Sequence, residues 1–278
     1  MQEAFYEYEP VDRDRLGVLL AVLILSGVVF RFIELPEHIY RLQALGSPLE
    51  IHATGTLLLV TLMVGLACTG TSLVLHDHPL LVGRTGRPIY IAWILPGMLA
   101  GLSGYLLSLI PALGLWIAGL VVFGISIGLT VSAEYATVSP DARSYATARL
   151  ALNVLAYLMA FVVFVLIYQT RTRSLVTATL TLVTASLLAL DLLSVADVSV
   201  GRMLPFAGVV GLIIGESTWA LNYWQVSAWV GGLLLLLIFY VLINVAHQHL
   251  LDRLSSSILI EIAAVIVLVL LVVALRGL

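Results

Sequence analysis

Four groups of residues in this chain have types and spacings that could carry chemistry. The first is a set of polar stripes. Thr177, Thr181, Thr184 and Asp191 are spaced 4, 3 and 7, so a helix puts them on one face, and Ser194 continues the line. Tyr240, Asn244 and His247 make a second stripe, and Ser257 and Glu261 a third. A carboxylate inside a membrane span costs about 2.5–3.5 kcal/mol, so it must face protein or water. Two arrangements satisfy that demand. In one, Asp191 and Glu261 carry protons or hold a cation in a polar cavity with Asn153, Asn244 and His247. In the other, the threonines bond their own backbone and the carboxylates reach the headgroups.

The second group is two histidine pairs, His76-Asp77-His78 and His247-Gln248-His249, the latter followed by Asp252. Imidazole nitrogens with carboxylate oxygens suit a transition metal. Residues two apart diverge on a helix, however, so each pair would need extended backbone to converge, and interfacial histidines are the plainer expectation. No cofactor is expected beyond this option. The third is Glu216, in Gly215-Glu216-Ser217-Thr218-Trp219, the acid placed most clearly within a span. It lies about 9 Å by helical rise from the aromatic cluster after it. A buried charge seeks a partner, and a far-side cluster of Arg31, Glu34 and His52 offers candidates. A protonation switch is the alternative.

The fourth is Cys68, in Ala67-Cys68-Thr69-Gly70. This string resembles the cysteine motif of membrane sortase-like transpeptidases, but that family's asparagine-before-arginine motif is absent. The paired aspartate clusters of nine-helix prenyltransferases are absent as well. All thirteen basic residues are arginine. Without lysine, a Schiff base, a pyridoxal phosphate aldimine and a P-loop phosphate contact each lack the amine they require.

The elements that must position these residues follow from composition. The chain has 278 residues, of which 61% are hydrophobic and 10% charged. A soluble chain carries about 25% charged residues, so the main solvent here is lipid. A soluble enzyme, a disordered chain and a nucleic-acid binder are excluded. About 20 apolar residues cross the hydrocarbon, and nine segments qualify: 16–35, 49–75, 89–110, 112–131, 148–169, 175–195, 203–221, 227–246 and 258–275. The expected fold is an all-α polytopic bundle. A short acidic segment, 1–15, precedes a single membrane domain over 16–278.

Local signals refine this picture. Ser47-Pro48-Leu49-Glu50 has the capping-box pattern, which predicts a helix start there. Residues 37–45 predict a short helix lying in the interface. Pro96 predicts a bend in the third span. Gly97 with Gly101, Gly124 with Gly128, and Gly211 with Gly215 and Ala207 predict close helix–helix contacts. No internal repeat stands out. Nine spans leave eight arginines on the side of the N-terminus, the near side, and five on the far side. The positive-inside rule then makes the N-terminus cytoplasmic, in the cell membrane, which is the inner membrane in a bacterium.

Three functions are consistent with these features. The short loops and lack of a strong catalytic motif favour a structural or assembly subunit of a membrane complex, partnered by other subunits or a second copy. The polar stripes and Glu216 would suit a small proton- or cation-coupled transporter. The size and the histidine pairs would suit an enzyme acting on a lipid or isoprenoid.

Overall fold

The computed structural model describes residues 12–33, 38–44, 47–76, 88–138, 144–170, 174–196, 198–224 and 226–251. Within them are eight long helices: α1 Arg13–Phe32, α2 Gly55–His76, α3 Ile94–Ser108, α4 Leu113–Ala136, α5 Tyr145–Thr170, α6 Ser174–Leu193, α7 Val200–Asn222 and α8 Ala228–Leu250. Each is long and apolar enough to cross a membrane, α3 together with the 3-10 turn Ile89–Trp93 before it. They are the first eight expected spans. The ninth, 258–275, lies outside the described residues.

Helix ends have local causes. The Asp12 carboxylate accepts from the backbone N–H groups of Asp14 and Arg15 at 3.0 and 3.4 Å, satisfying two of the orphan donors that start α1. Asp14 in the first turn and Arg31 in the last complement the helix dipole. Pro96 falls in the first turn of α3, where a missing N–H costs little. The winding changes from 3-10 to α just before it, between Trp93 and Ile94.

One stretch departs from expectation. The interfacial helix over 37–45 and the helix start at Ser47 are replaced by a hairpin of β1, His38–Ala44, and β2, Ser47–Ala53. The strands are antiparallel, with Ala44 opposite Ser47 and Arg41 opposite Glu50. The second span accordingly begins at Gly55, not Leu49. The sequence reads polar and apolar in near alternation through both strands, a period of two. Pro48 is tolerated because a two-stranded ladder leaves each strand an unpaired edge.

The chain divides into two compact units, one of 1–84 with 92–152 and one of 85–91 with 153–278, the division falling inside α5. In the first unit α2 packs on α1 and α3, and α4 packs on α1, α3 and α2. Gly97, Gly101 and Gly104 bring α3 onto α2. A Cβ at these positions would meet Cys68 Sγ, Val64 and Met63, each at 2.8 Å. Gly124 and Gly128 do the same for α4, against Ile24 and Leu20 of α1. In the second unit α6 and α7 make the most extensive contact. Gly211 sits against Ser186 and the Leu182 carbonyl, and Gly215 against the Ala178 carbonyl. Gly231 and Gly232 of α8 lie on Tyr168 and Val165 of α5. Tyr157 and Phe164 of α5 also meet Phe239 edge-on.

The second unit thus repeats the helix-contact scheme of the first. Second packs on third, third on fourth, fourth on first and second on fourth. Sequence marks accompany the scheme. Arg15-Leu16 and Val28-Val29-Phe30 in α1 recur at the same spacing as Arg149-Leu150 and Val162-Val163-Phe164 in α5. Leu-Pro recurs in α3 and α7, at 95–96 and 204–205, and Trp-x-x-Gly in α4 and α8, at 116–119 and 229–232.

The two units also share a way of closing the link from third to fourth helix. In the first, Arg31 at the end of α1 donates through Nη1 to Ile110 O at 3.1 Å and through Nη2 to Pro111 O at 2.6 Å. These carbonyls fall in the short link after α3, where no helix supplies donors. The guanidinium carbon lies 5.8 Å from the Trp116 ring centre. In the second, the Tyr168 hydroxyl near the end of α5 lies 2.9 Å from Leu221 O and 3.0 Å from Trp224 O, just past α7.

Candidate functional site

The second unit holds most of the expected polar stripe. Thr177, Thr181 and Asp191 of α6 are all buried, at 1%, 0% and 0% exposure, with Thr184 half-buried between them. Thr181 Oγ1 donates to Thr177 O at 2.6 Å, and Ser194 Oγ donates to Asp191 O at 2.6 Å. At the far end Asn222 of α7 donates to Thr177 Oγ1 at 3.1 Å, a side-chain bond between helices. Asn244 and His247 of α8 are half-buried. Asn244 Nδ2 donates to Tyr240 O at 2.8 Å, one turn back on its own helix. α6 and α8 pack on one another. Glu261 and Ser257 lie outside the described residues.

Glu216 is exposed on α7, one position beyond the Ala207–Gly211–Gly215 face that meets α6. Trp219, Tyr223, Trp224 and Trp229 are exposed around the adjoining helix ends, as expected for rings at a membrane boundary. Trp116, by contrast, is buried under Arg31. Of the far-side cluster, Arg31 is engaged by the Ile110 and Pro111 carbonyls. Glu34 and the side chain of His52 lie outside the described residues.

The histidine pairs are only partly described. His76 is exposed at the end of α2, and His78 lies outside the described residues. His247 and His249 both fall in the last turns of α8. His249 is exposed and meets the Phe206 ring at 5.5 Å between centres. Among the described residues no three metal-ligating side chains gather. Cys68 Sγ lies 3.8 Å from Trp93 O, against Gly97 of α3.

The first unit contains polar residues that the sequence did not single out. Glu134, in the last turn of α4, is 1% exposed, and Arg149, in the second turn of α5, is 6% exposed. Thr71 of α2 and Thr130 of α4 are also buried. Thr130 Oγ1 donates to Ser126 O at 2.7 Å, and Thr137 Oγ1 donates to Glu134 O at 2.8 Å. The Thr71 hydroxyl and the Trp93 indole nitrogen are buried with no hydrogen-bond partner among the described residues. Each unit buries an ionisable carboxylate, Glu134 in the first and Asp191 in the second.

Eight membrane-length apolar helices, sealed by small-residue contacts and exposing large apolar side chains, define a multi-pass integral membrane protein whose outer surface contacts lipid. The chain belongs to the family described as Protein of unknown function (DUF5656), which matches residues 35–276. No curated protein and no solved structure matches it.

Proposed function

We propose that the protein is a small membrane transporter, moving a cation or a proton-coupled solute by way of buried carboxylates. The observation that carries this reading is the burial of Glu134 and Asp191, at 1% and 0% exposure, one in each unit. Ionisable groups within spans are costly and tend to mark ion or substrate pathways. Arg149, Asn244, His247 and Glu261 are the further polar groups assigned to this role. The recurring four-helix scheme supports the reading, because internal structural repeats are one of the plans on which transporters are built.

The test is charge displacement in proteoliposomes on a solid-supported membrane, after separate jumps in Na+, K+ and protons. At least one jump should give a transient current in the wild-type protein. Asp191→Asn and Glu134→Gln should abolish it while circular dichroism shows both variants folded. No current for any of the three, or currents unchanged in both variants, would overturn the proposal.

The assembly-subunit reading is favoured by a different observation. Thr61, Gly65 and Thr69 form an exposed strip on α2. Both threonine hydroxyls donate to carbonyls of their own helix at 2.8 Å, and nothing lies within 4 Å of where a Gly65 Cβ would be. The other small-residue faces named above press against helices, and this one suits a helix of another subunit or a second copy. Cross-linking in native membranes through a cysteine at Gly65 would capture that neighbour; recovery of uncross-linked chain alone would count against it. We further propose that the N-terminus is cytoplasmic. Phosphatase fusions after Val138 should be silent and those after Thr170 active, and the reverse pattern would invert the orientation.

A further inference from the structure

On the lipid side of α1 and α2 lies a groove of about 540 Å³. Its floor is made by one glycine. A Cβ at Gly70 would collide with the Leu19 side chain, so only glycine lets Leu19 settle between the helices, where it is 5% exposed. The walls are Val18 and Val22 of α1 with Leu66 and Leu73 of α2. Thr69 adds no polarity to the wall, because its hydroxyl is turned back to Gly65 O at 2.8 Å and Leu66 O at 3.2 Å.

Only the near end of the groove is charged. Asp14 and Arg15, in the first turn of α1, form its mouth. The Arg15 guanidinium is fixed there by Leu73 O at 3.1 Å and by the Asp12 carboxylate at 3.3 Å. From Asp14 to Val22 the groove runs about 12 Å along the helix axis. One leaflet of hydrocarbon is about 15 Å deep. The groove therefore begins at the water boundary with a cation beside an anion, and continues as an apolar channel for most of one leaflet.

We propose that this groove is a binding site for one zwitterionic phospholipid of the near leaflet. An acyl chain lies along Leu19 and Gly70, the phosphate sits at Arg15, and the headgroup ammonium sits at Asp14. Phosphatidylethanolamine has that order of charges, since its phosphate is next to the glycerol and its ammonium is one short arm beyond. An anionic lipid would offer nothing for Asp14 to attract.

The experiment uses the full chain reconstituted into nanodiscs of palmitoyl-oleoyl phosphatidylethanolamine or phosphatidylglycerol. After extraction, native mass spectrometry counts the retained lipid. The wild-type protein should hold one phosphatidylethanolamine and retain it about tenfold better than phosphatidylglycerol. Val18→Trp fills the groove from a residue that is 64% exposed, so it should leave the fold intact and lower retention about tenfold. Leu73→Trp, from a residue 62% exposed, is the second groove-filling variant. Asp14→Asn should keep a bound lipid but lose the headgroup preference. A wild-type protein that retains no lipid, or folded filling variants that retain as much as wild type, would overturn the site. An unchanged preference in Asp14→Asn would overturn the headgroup assignment.

Discussion

Replacing Arg31 removes two hydrogen bonds at once. Its Nη1 and Nη2 hold the carbonyls of Ile110 and Pro111, at 3.1 and 2.6 Å, in the short link between α3 and α4. Hydrogen bonds from a charged donor contribute about 1.5–3 kcal/mol each, and a cation over an aromatic ring about 0.5–1 kcal/mol at exposed sites. The side chain is half-buried, and the Pro111 bond is exposed, so water recovers part of the loss. Taking the lower values and discounting for exposure, Arg31→Ala should cost about 2–3 kcal/mol. Arg31→Lys should recover about half of that, because an ammonium is a point donor and cannot span both carbonyls as a planar fork does. The assay is reversible unfolding in mixed micelles at increasing dodecyl sulfate. Cys68, the single cysteine, would report unfolding as a thiol-reactive dye gains access to it. An alanine variant within about 0.5 kcal/mol of wild type would refute the capping role, since surface changes away from such features fall in that range. A lysine variant equal to wild type would show that charge alone suffices.

Four further outcomes follow from the same packing. Gly211→Ala should destabilise by more than about 2 kcal/mol, because its Cβ would meet Ser186 Oγ and lie 2.6 Å from Leu182 O, a backbone atom that cannot swing away. Gly208→Ala, which meets nothing within 4 Å, should be neutral or stabilising in the same micelle titration. Tyr168→Phe removes the hydroxyl shared by Leu221 O and Trp224 O, each of which keeps a backbone donor, and should cost about 0.5–1.5 kcal/mol by the micelle titration. Glu216→Leu should keep wild-type thermal stability in detergent, since the side chain is exposed and the substitution leaves the α6 contact untouched; a clear drop in melting temperature would show a partner for that carboxylate.

The helical frame was legible from hydrophobic run length alone. Its tightest contacts were legible too, because glycine pairs four apart on an apolar helix have few other uses. The hairpin was not. Ser47-Pro48-Leu49-Glu50 fits a helix cap, and the alternation that outweighs it is confined to two strands of seven residues. The stripe ending in Asp191 could be read from spacing, since a polar line on an apolar helix must face something other than lipid. Glu134 could not. It stands in the last turn of its helix, where an acid ordinarily reaches the headgroups, and what buries it is contributed by other parts of the chain. The recurring four-helix scheme escaped detection because what recurs is which helices touch. Only short marks such as Arg-Leu with Val-Val-Phe, Leu-Pro and Trp-x-x-Gly accompany it in the residues themselves.

The first helix carries an arginine near each end, and each is tied to carbonyls of a different neighbour. Arg15 holds Leu73 O, in the last turn of α2, and Arg31 holds the link after α3. Sixteen residues of helix separate them, a rigid rod of about 24 Å. The rod sets the distance between the near end of one neighbour and the far end of the other. A bilayer that thins or thickens around this unit cannot be met by α1 sliding past α2 and α3, since a slide at either end breaks an anchor. Tilting the α1–α4 group as a body keeps both anchors, so mismatch with lipids of different chain length should change the unit's inclination and leave its internal spacing fixed.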